Sequence, residues 1–222
     1  MTFVRTNRVL LATFPPVAVL LLNAYWKEPL YNLSVSAFWL TDFAQSILLP
    51  AICAIALGLS VRIWPRDYGF AAFPAGWSTP KKLLAFFITA LMLLITYRMA
   101  LNISWRHLWQ YASSFNIGIP SQNLARGSVI LYFALTAAVV EEAVFRALPW
   151  LYISTRFPGP RGTIAYILVT SILFAAAHSE QGPHGIASAF AFGLVAACAY
   201  SKLRNVWPLV LGHAITVIWA YV

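Results

Sequence analysis

Apolar runs long enough to cross a bilayer recur along this chain, separated by short basic linkers. They fall at about residues 9–26, 38–63, 83–101, 128–153, 163–178, 185–202 and 206–222. A helix rises 1.5 Å per residue, so about 20 apolar residues cover the hydrocarbon core. Lipid has no water to satisfy backbone N–H and C=O groups, which leaves helices as the economical solution for such runs. The expected fold is an all-α, polytopic transmembrane bundle of about seven spans, forming one membrane domain over 1–222. Composition agrees: of 222 residues, 61% are hydrophobic and only 9% charged, against about a quarter charged in soluble domains.

The formal charge of +9 does not imply nucleic acid, because the basic residues sit beside apolar runs and form no contiguous stripe. With the N-terminus inside, Arg5, Arg8, Arg62, Arg66, Lys81, Lys82, Arg156, Arg161, Lys202 and Arg204 fall on the cytoplasmic side. Lys27, Arg98, Arg106 and Arg126 fall outside. This bias implies a cytoplasmic N-terminus, with a bacterial inner membrane as the expected location. The first run is expected to be retained as a helix, bent or broken at Pro15–Pro16. Residues 102–123 mix Trp105 and Trp109 with Arg106, His107 and Gln110, and suit an amphipathic segment lying at the interface. Cys53 and Cys198 have no ligand-spaced partner and read as packing residues.

Most ionisable residues here can escape to an interface, but Glu141, Glu142 and Arg146 lie within the apolar run 131–148. Each charge near a bilayer centre costs about 2.5–3.5 kcal/mol, so such residues mark function by default. Glu142 and Arg146 are one helical turn apart and can pair. Glu141 points about 100° away and is left as a candidate proton acceptor. His178 ends the fifth run and His213 lies in the seventh; with Glu141 they offer a base and two groups able to bind water or polarise a carbonyl. If the fourth helix continues past Pro149, all three lie at compatible depths; if it stops there, Glu141 and His178 part company. His184 reads as a loop residue and His107 as part of the interfacial segment.

At these residues the chain resembles the CPBP family: CAAX prenyl proteases of the Ras-converting type and bacterial relatives linked to bacteriocin processing and immunity. The Glu-Glu-x-x-x-Arg motif is present as Glu141, Glu142 and Arg146, and Phe-x-x-x-His as Phe174 and His178. Of a third motif, His-x-x-x-Asn, only His213 matches, since position 217 is Val217. The resemblance covers about the last hundred residues. It implies that Glu141 activates a water molecule while His178 positions the water or the scissile carbonyl. Glu142 and Arg146 would support the site electrostatically, and His213 would stabilise the oxyanion. Thr216 is the nearest hydroxyl to the missing Asn.

The expected activity is therefore an intramembrane endopeptidase acting on a membrane-associated peptide or protein; nothing in the residues points to a prenyl group. No cofactor is expected. Zinc is the disfavoured alternative, because no His-Glu-x-x-His pair lies on one helix. Two other readings compete. An inactive family member could bind a partner, as in immunity, which Val217 keeps open. A transporter or proton relay would use the same buried charges, but Pro15–Pro16 and Pro149 form no convincing repeat.

Overall fold

A computed structural model describes residues 3–22, 35–71, 77–108 and 123–221. Among these residues every regular element is helical. Helix α1 is Phe3–Leu21. Helix α2 is a continuous rod made of Val35–Phe43, Ala44–Leu48 and Leu49–Val61. Helix α3 is Thr79–Leu108. Helix α4 joins Asn123–Glu142, Ala143–Ala147 and Leu148–Arg156. Pro160–Ala176 forms α5, Gly182–Leu203 forms α6 and Trp207–Tyr221 forms α7.

Four stretches are long and apolar enough to cross a membrane: Ser36–Val61, Thr79–Leu108, Gly127–Arg156 and Ser179–Leu203. Shorter apolar helices, Asn7–Leu21, Pro160–Ala176 and Trp207–Ala220, accompany them. Leu84, Phe87, Leu91, Met99 and Ile103 stand exposed along α3, a surface that suits lipid and not water. The chain is an integral membrane protein.

Prolines shape two of the long rods. Pro50 and Pro149 each lack an N–H and would drive their rings into the carbonyl four residues back. In both helices the preceding turn widens to a π-turn, Ala44–Leu48 and Ala143–Ala147. The Leu49 N–H bonds Ala44 O and the Leu148 N–H bonds Ala143 O. The wider i→i+5 turn accommodates the proline without ending the helix. Hence α4 does continue past Pro149, the condition on which the depth match rested. Helix α1 likewise stays helical through Pro15 and Pro16 and is not broken there.

Two other boundaries differ from the sequence reading. Helix α3 runs on to Leu108, so residues 102–108 belong to it; residues 109–122 of the expected interfacial segment lie outside the described residues. His184 lies in the first turn of α6, not in a loop, because Pro183 occupies an early helical position where its missing N–H costs nothing.

Five helices close into a ring, each packing on the next: α4 on α7, α7 on α3, α3 on α6, α6 on α5, and α5 back on α4. Helix α1 packs on α2 and on the C-terminal part of α4, and the π-turn of α2 also touches α4. Glycines set two of the closest approaches. A Cβ at Gly193 of α6 would lie 3.1 Å from the Ser171 Cα of α5, and one at Gly212 of α7 would lie 3.0 Å from the Ala90 Cα of α3. Small residues at such crossings are how helices associate where burial from water supplies no driving force. On the 204–207 side, Asn205 donates to Ala71 O at 2.8 Å and accepts from the Trp207 N–H at 3.0 Å. The Tyr200 hydroxyl donates to Tyr68 O at 3.0 Å, so the segment after α2 is tied to the α6–α7 turn.

Candidate active site

The ring brings Glu141, Glu142 and Arg146 of α4 together with His178 and His213. The π-turn that follows Glu142 holds Arg146 fully inside the protein, as Glu142 is. Arg146 Nε lies 3.3 Å from Glu142 Oε2, the pairing expected from their spacing. This is a charge contact and not an aligned hydrogen bond, since neither atom meets a partner along a hydrogen-bond direction. The guanidinium also lies over the Phe174 ring, its carbon 3.9 Å from the ring centroid, with Phe192 at 5.7 Å. Aromatic faces carry negative charge density and accept such a cation in a dry setting.

Phe174 does more than mark a motif. Its carbonyl accepts a hydrogen bond from His178 Nδ1 at 2.8 Å, and its ring lies 4.5 Å from the imidazole of His178. One residue thus covers the buried arginine and aims the histidine one turn later. His178 sits just beyond the end of α5, where the chain turns into Ser179–Gln181. With Nδ1 turned to that carbonyl, its Nε2 faces Glu141 Oε2 at 3.9 Å.

His213 is held in the same manner from the other side. Its Nδ1 hydrogen-bonds Glu142 Oε1 at 2.8 Å, and its Nε2 also lies 3.9 Å from Glu141 Oε2. Glu142 therefore contacts both Arg146 and His213, a double role that the i, i+4 pairing did not foresee. Glu141 and His178 each keep about a fifth of their side-chain surface exposed (20% and 19%), whereas Glu142 and Arg146 keep none. The outer members of the cluster can be reached, and the inner pair cannot.

The Glu141 oxygen makes no direct hydrogen bond. A gap of 3.9 Å is too long for one, yet it is a distance that a single water can bridge. The carbonyl beside His178 Nδ1 is an acceptor only, so that nitrogen carries a hydrogen, and Nε2 is the ring nitrogen that faces Glu141. The arrangement can hold a water between a carboxylate and two imidazoles. Glu141, His178 and His213 are also the three donors a zinc ion would need. Among the described residues, however, no group of three His, Cys, Asp or Glu is placed to hold a metal ion.

The position where the resemblance leads one to expect an amide donor behaves as its side chain dictates. Val217 packs against the apolar core. Thr216 is buried and donates its hydroxyl proton to Gly212 O at 2.8 Å, so it is committed to its own helix.

Two residues of this region carried no motif. Phe192 of α6 stacks on Phe174 with centroids 5.7 Å apart and meets the His213 ring at 5.0 Å, closing the apolar wall behind the histidine. Its only signal was a large aromatic in the small-residue stretch 185–199. Asp42 did carry a signal, an ionisable residue inside the run 38–63, and it does not escape to an interface. It is 2% exposed, beside the α2 π-turn, and accepts a hydrogen bond from Tyr132 of α4 at 2.9 Å.

Residues 124–219 match the family model described as Rce1-like, type II CAAX prenyl endopeptidase Rce1-like. That segment is similar to the CPBP family, and the matched stretch contains all five residues of the cluster. No curated protein and no solved structure matches significantly.

Proposed function

We propose that this CPBP-type chain is an intramembrane endopeptidase in which Glu141 activates water, without a metal, to hydrolyse a peptide bond of a membrane-associated peptide or protein. The observation that carries this reading is the approach of two histidine Nε2 atoms to one carboxylate oxygen, each at 3.9 Å. A protease family matched over the same residues supports it.

In this mechanism a water sits between Glu141 and His178. His178 Nε2 accepts one of its hydrogens and fixes its direction. Glu141 takes the other proton as the water oxygen attacks the scissile carbonyl carbon. The carbonyl oxygen becomes an oxyanion and accepts a hydrogen bond from His213 Nε2–H, with His213 doubly protonated and Glu142 balancing its charge. Glu141 then passes its proton to the leaving nitrogen as the C–N bond breaks. One water is consumed, and an acid and an amine result. Two carboxylates, Arg146 and the His213 cation sum to zero charge, which makes such a cluster tolerable in a bilayer. On this reading the N-terminus lies on the cytoplasmic side of a bacterial plasma membrane; the bias of basic residues supports the orientation.

Val217 favours a second reading, an inactive member that binds a partner, because it leaves His213 without a neighbouring donor. Both are tested by co-expressing membrane-anchored peptide candidates with wild type, Glu141→Ala and His178→Ala, with insertion of each variant verified. Cleavage by wild type that vanishes with Glu141→Ala supports the protease. A substrate cut equally by both sinks the mechanism, and stable peptide capture without cleavage by any form favours the binding reading.

A further inference from the structure

The crossing of α3 and α7 is tight on one side and open on the other. At Gly212 the two backbones touch, a Cβ there meeting Ala90 Cα and O at 3.0 Å. One turn further along α7 the helices part and leave a shallow, open cleft lined by Tyr97, Arg98 and Leu101 of α3 and by Thr216 and Trp219 of α7. This cleft adjoins the apolar wall of the site. Thr216 is three residues from His213, hence on the same side of α7. The Tyr97 ring meets Phe192 edge-on at 6.3 Å, and Phe192 in turn meets the His213 ring.

Arg98 is the cation of this cleft. It lies within the apolar helix Thr79–Leu108, its guanidinium carbon 5.1 Å from the Trp219 ring centroid, and among the described residues no carboxylate pairs with it. Its side chain is exposed toward the C-terminal end of that helix, and an arginine fork matches a carboxylate in two places at once. The Trp219 face holds the guanidinium at the cleft without neutralising it.

We propose that Arg98 forms a substrate subsite that takes a carboxylate side chain about three residues from the cleaved bond. The spacing follows from geometry. From His213 to Trp219 is six residues of helix, about 9 Å at 1.5 Å each. An extended substrate covers that distance in about three residues at 3.3 Å each. The inference rests on the protease reading for its occupant: an acidic, otherwise apolar peptide in the α3–α7 cleft.

The test reads binding without turnover. Glu141→Gln protein in phosphatidylcholine nanodiscs is titrated with short fluorescent Leu/Ala peptides in which one position at a time is Glu or Gln. At one position the Glu peptide should bind at least about tenfold more tightly, the scale of one charge-assisted hydrogen bond. That ratio should fall to about one with Arg98→Gln and persist in part with Arg98→Lys. Equal binding at every position, or a preference that survives Arg98→Gln, overturns the subsite. Loss of the preference when phosphatidylglycerol is added assigns the cleft to a lipid phosphate and overturns it as well. A preference removed by Arg98→Gln supports the subsite even where wild type cuts none of these peptides, an outcome that counts against the protease reading alone.

Discussion

Glu142 is the residue on which the buried cluster turns, because it faces a fully buried arginine on one side and His213 on the other. Removing Arg146 leaves that carboxylate short of its permanent counterion in a dry interior, and breaking a buried pair costs about 3–5 kcal/mol. We expect Arg146→Met to lower stability on that scale in detergent unfolding. The double variant Glu142→Gln/Arg146→Met should lose less than the two single variants summed, since no lone charge remains. A matching sum would show that the two groups do not act as a pair. Val217→Asn should act in the opposite sense on activity. A second donor beside His213 is worth up to about 10²–10³ in turnover where an oxyanion develops, so the variant should cut faster than wild type. An unchanged or lower kcat in correctly inserted protein would place position 217 outside the oxyanion site. At this scale the sequence was most legible where chemistry conflicts with solvent. Glu141, Glu142 and Arg146 stood out because charges in an apolar run need a reason. Phe192 did not, because an aromatic in such a run needs none. Asp42 was passed over although the same rule applied to it, and its burial against Tyr132 shows that α2 also carries a polar contact within the membrane.

The helices themselves follow from apolar runs: each of the seven runs coincides with a helix among the described residues, although only four are long and apolar enough to cross a membrane. Their internal geometry was not readable in this way. The π-turns before Pro50 and Pro149 depend on how a missing N–H is accommodated, which the hydrophobic pattern does not record. The end of α3 was misplaced because Trp105, Arg106 and His107 look interfacial, while the helix simply continues to Leu108 with those residues in its last turn. Close helix approaches are likewise set by glycines that composition alone does not single out. At Gly193 the Ser171 backbone is 3.1 Å from where a Cβ would lie. Gly193→Val should therefore force α5 and α6 apart and lower stability by about 1–3 kcal/mol, the usual cost of overpacking. Gly193→Ala should cost less. Equal melting of Gly193→Val and wild type in the same detergent would contradict the crossing.

For the whole molecule, five helices form the ring that holds the site, and the exposed apolar face of α3 requires lipid around it. Orientation comes from the placement of basic residues and is testable at the two ends of α5. In a background with Cys53→Ser and Cys198→Ser, Phe157→Cys should react with an impermeant thiol reagent only after the membrane is opened. Ser179→Cys should react in intact spheroplasts, because it lies beyond the other end of α5. The reverse pattern would invert the topology. Convergence of α4, α5 and α7 on one carboxylate could not be deduced from any single run, since it depends on α4 continuing through Pro149. The motif order anticipated that meeting, and the ring supplies its physical cause.

The central claim is that the Glu141 carboxylate removes a proton from water. The most direct measurement is single-turnover cleavage of a membrane-anchored peptide by purified wild type and Glu141→Gln, an exchange that keeps shape and removes the base, with matched melting curves for the two proteins. We predict a fall of about 10²–10⁴ in the cleavage rate, the contribution of a positioned general base. Equal rates in the two folded proteins would contradict Glu141 as the base.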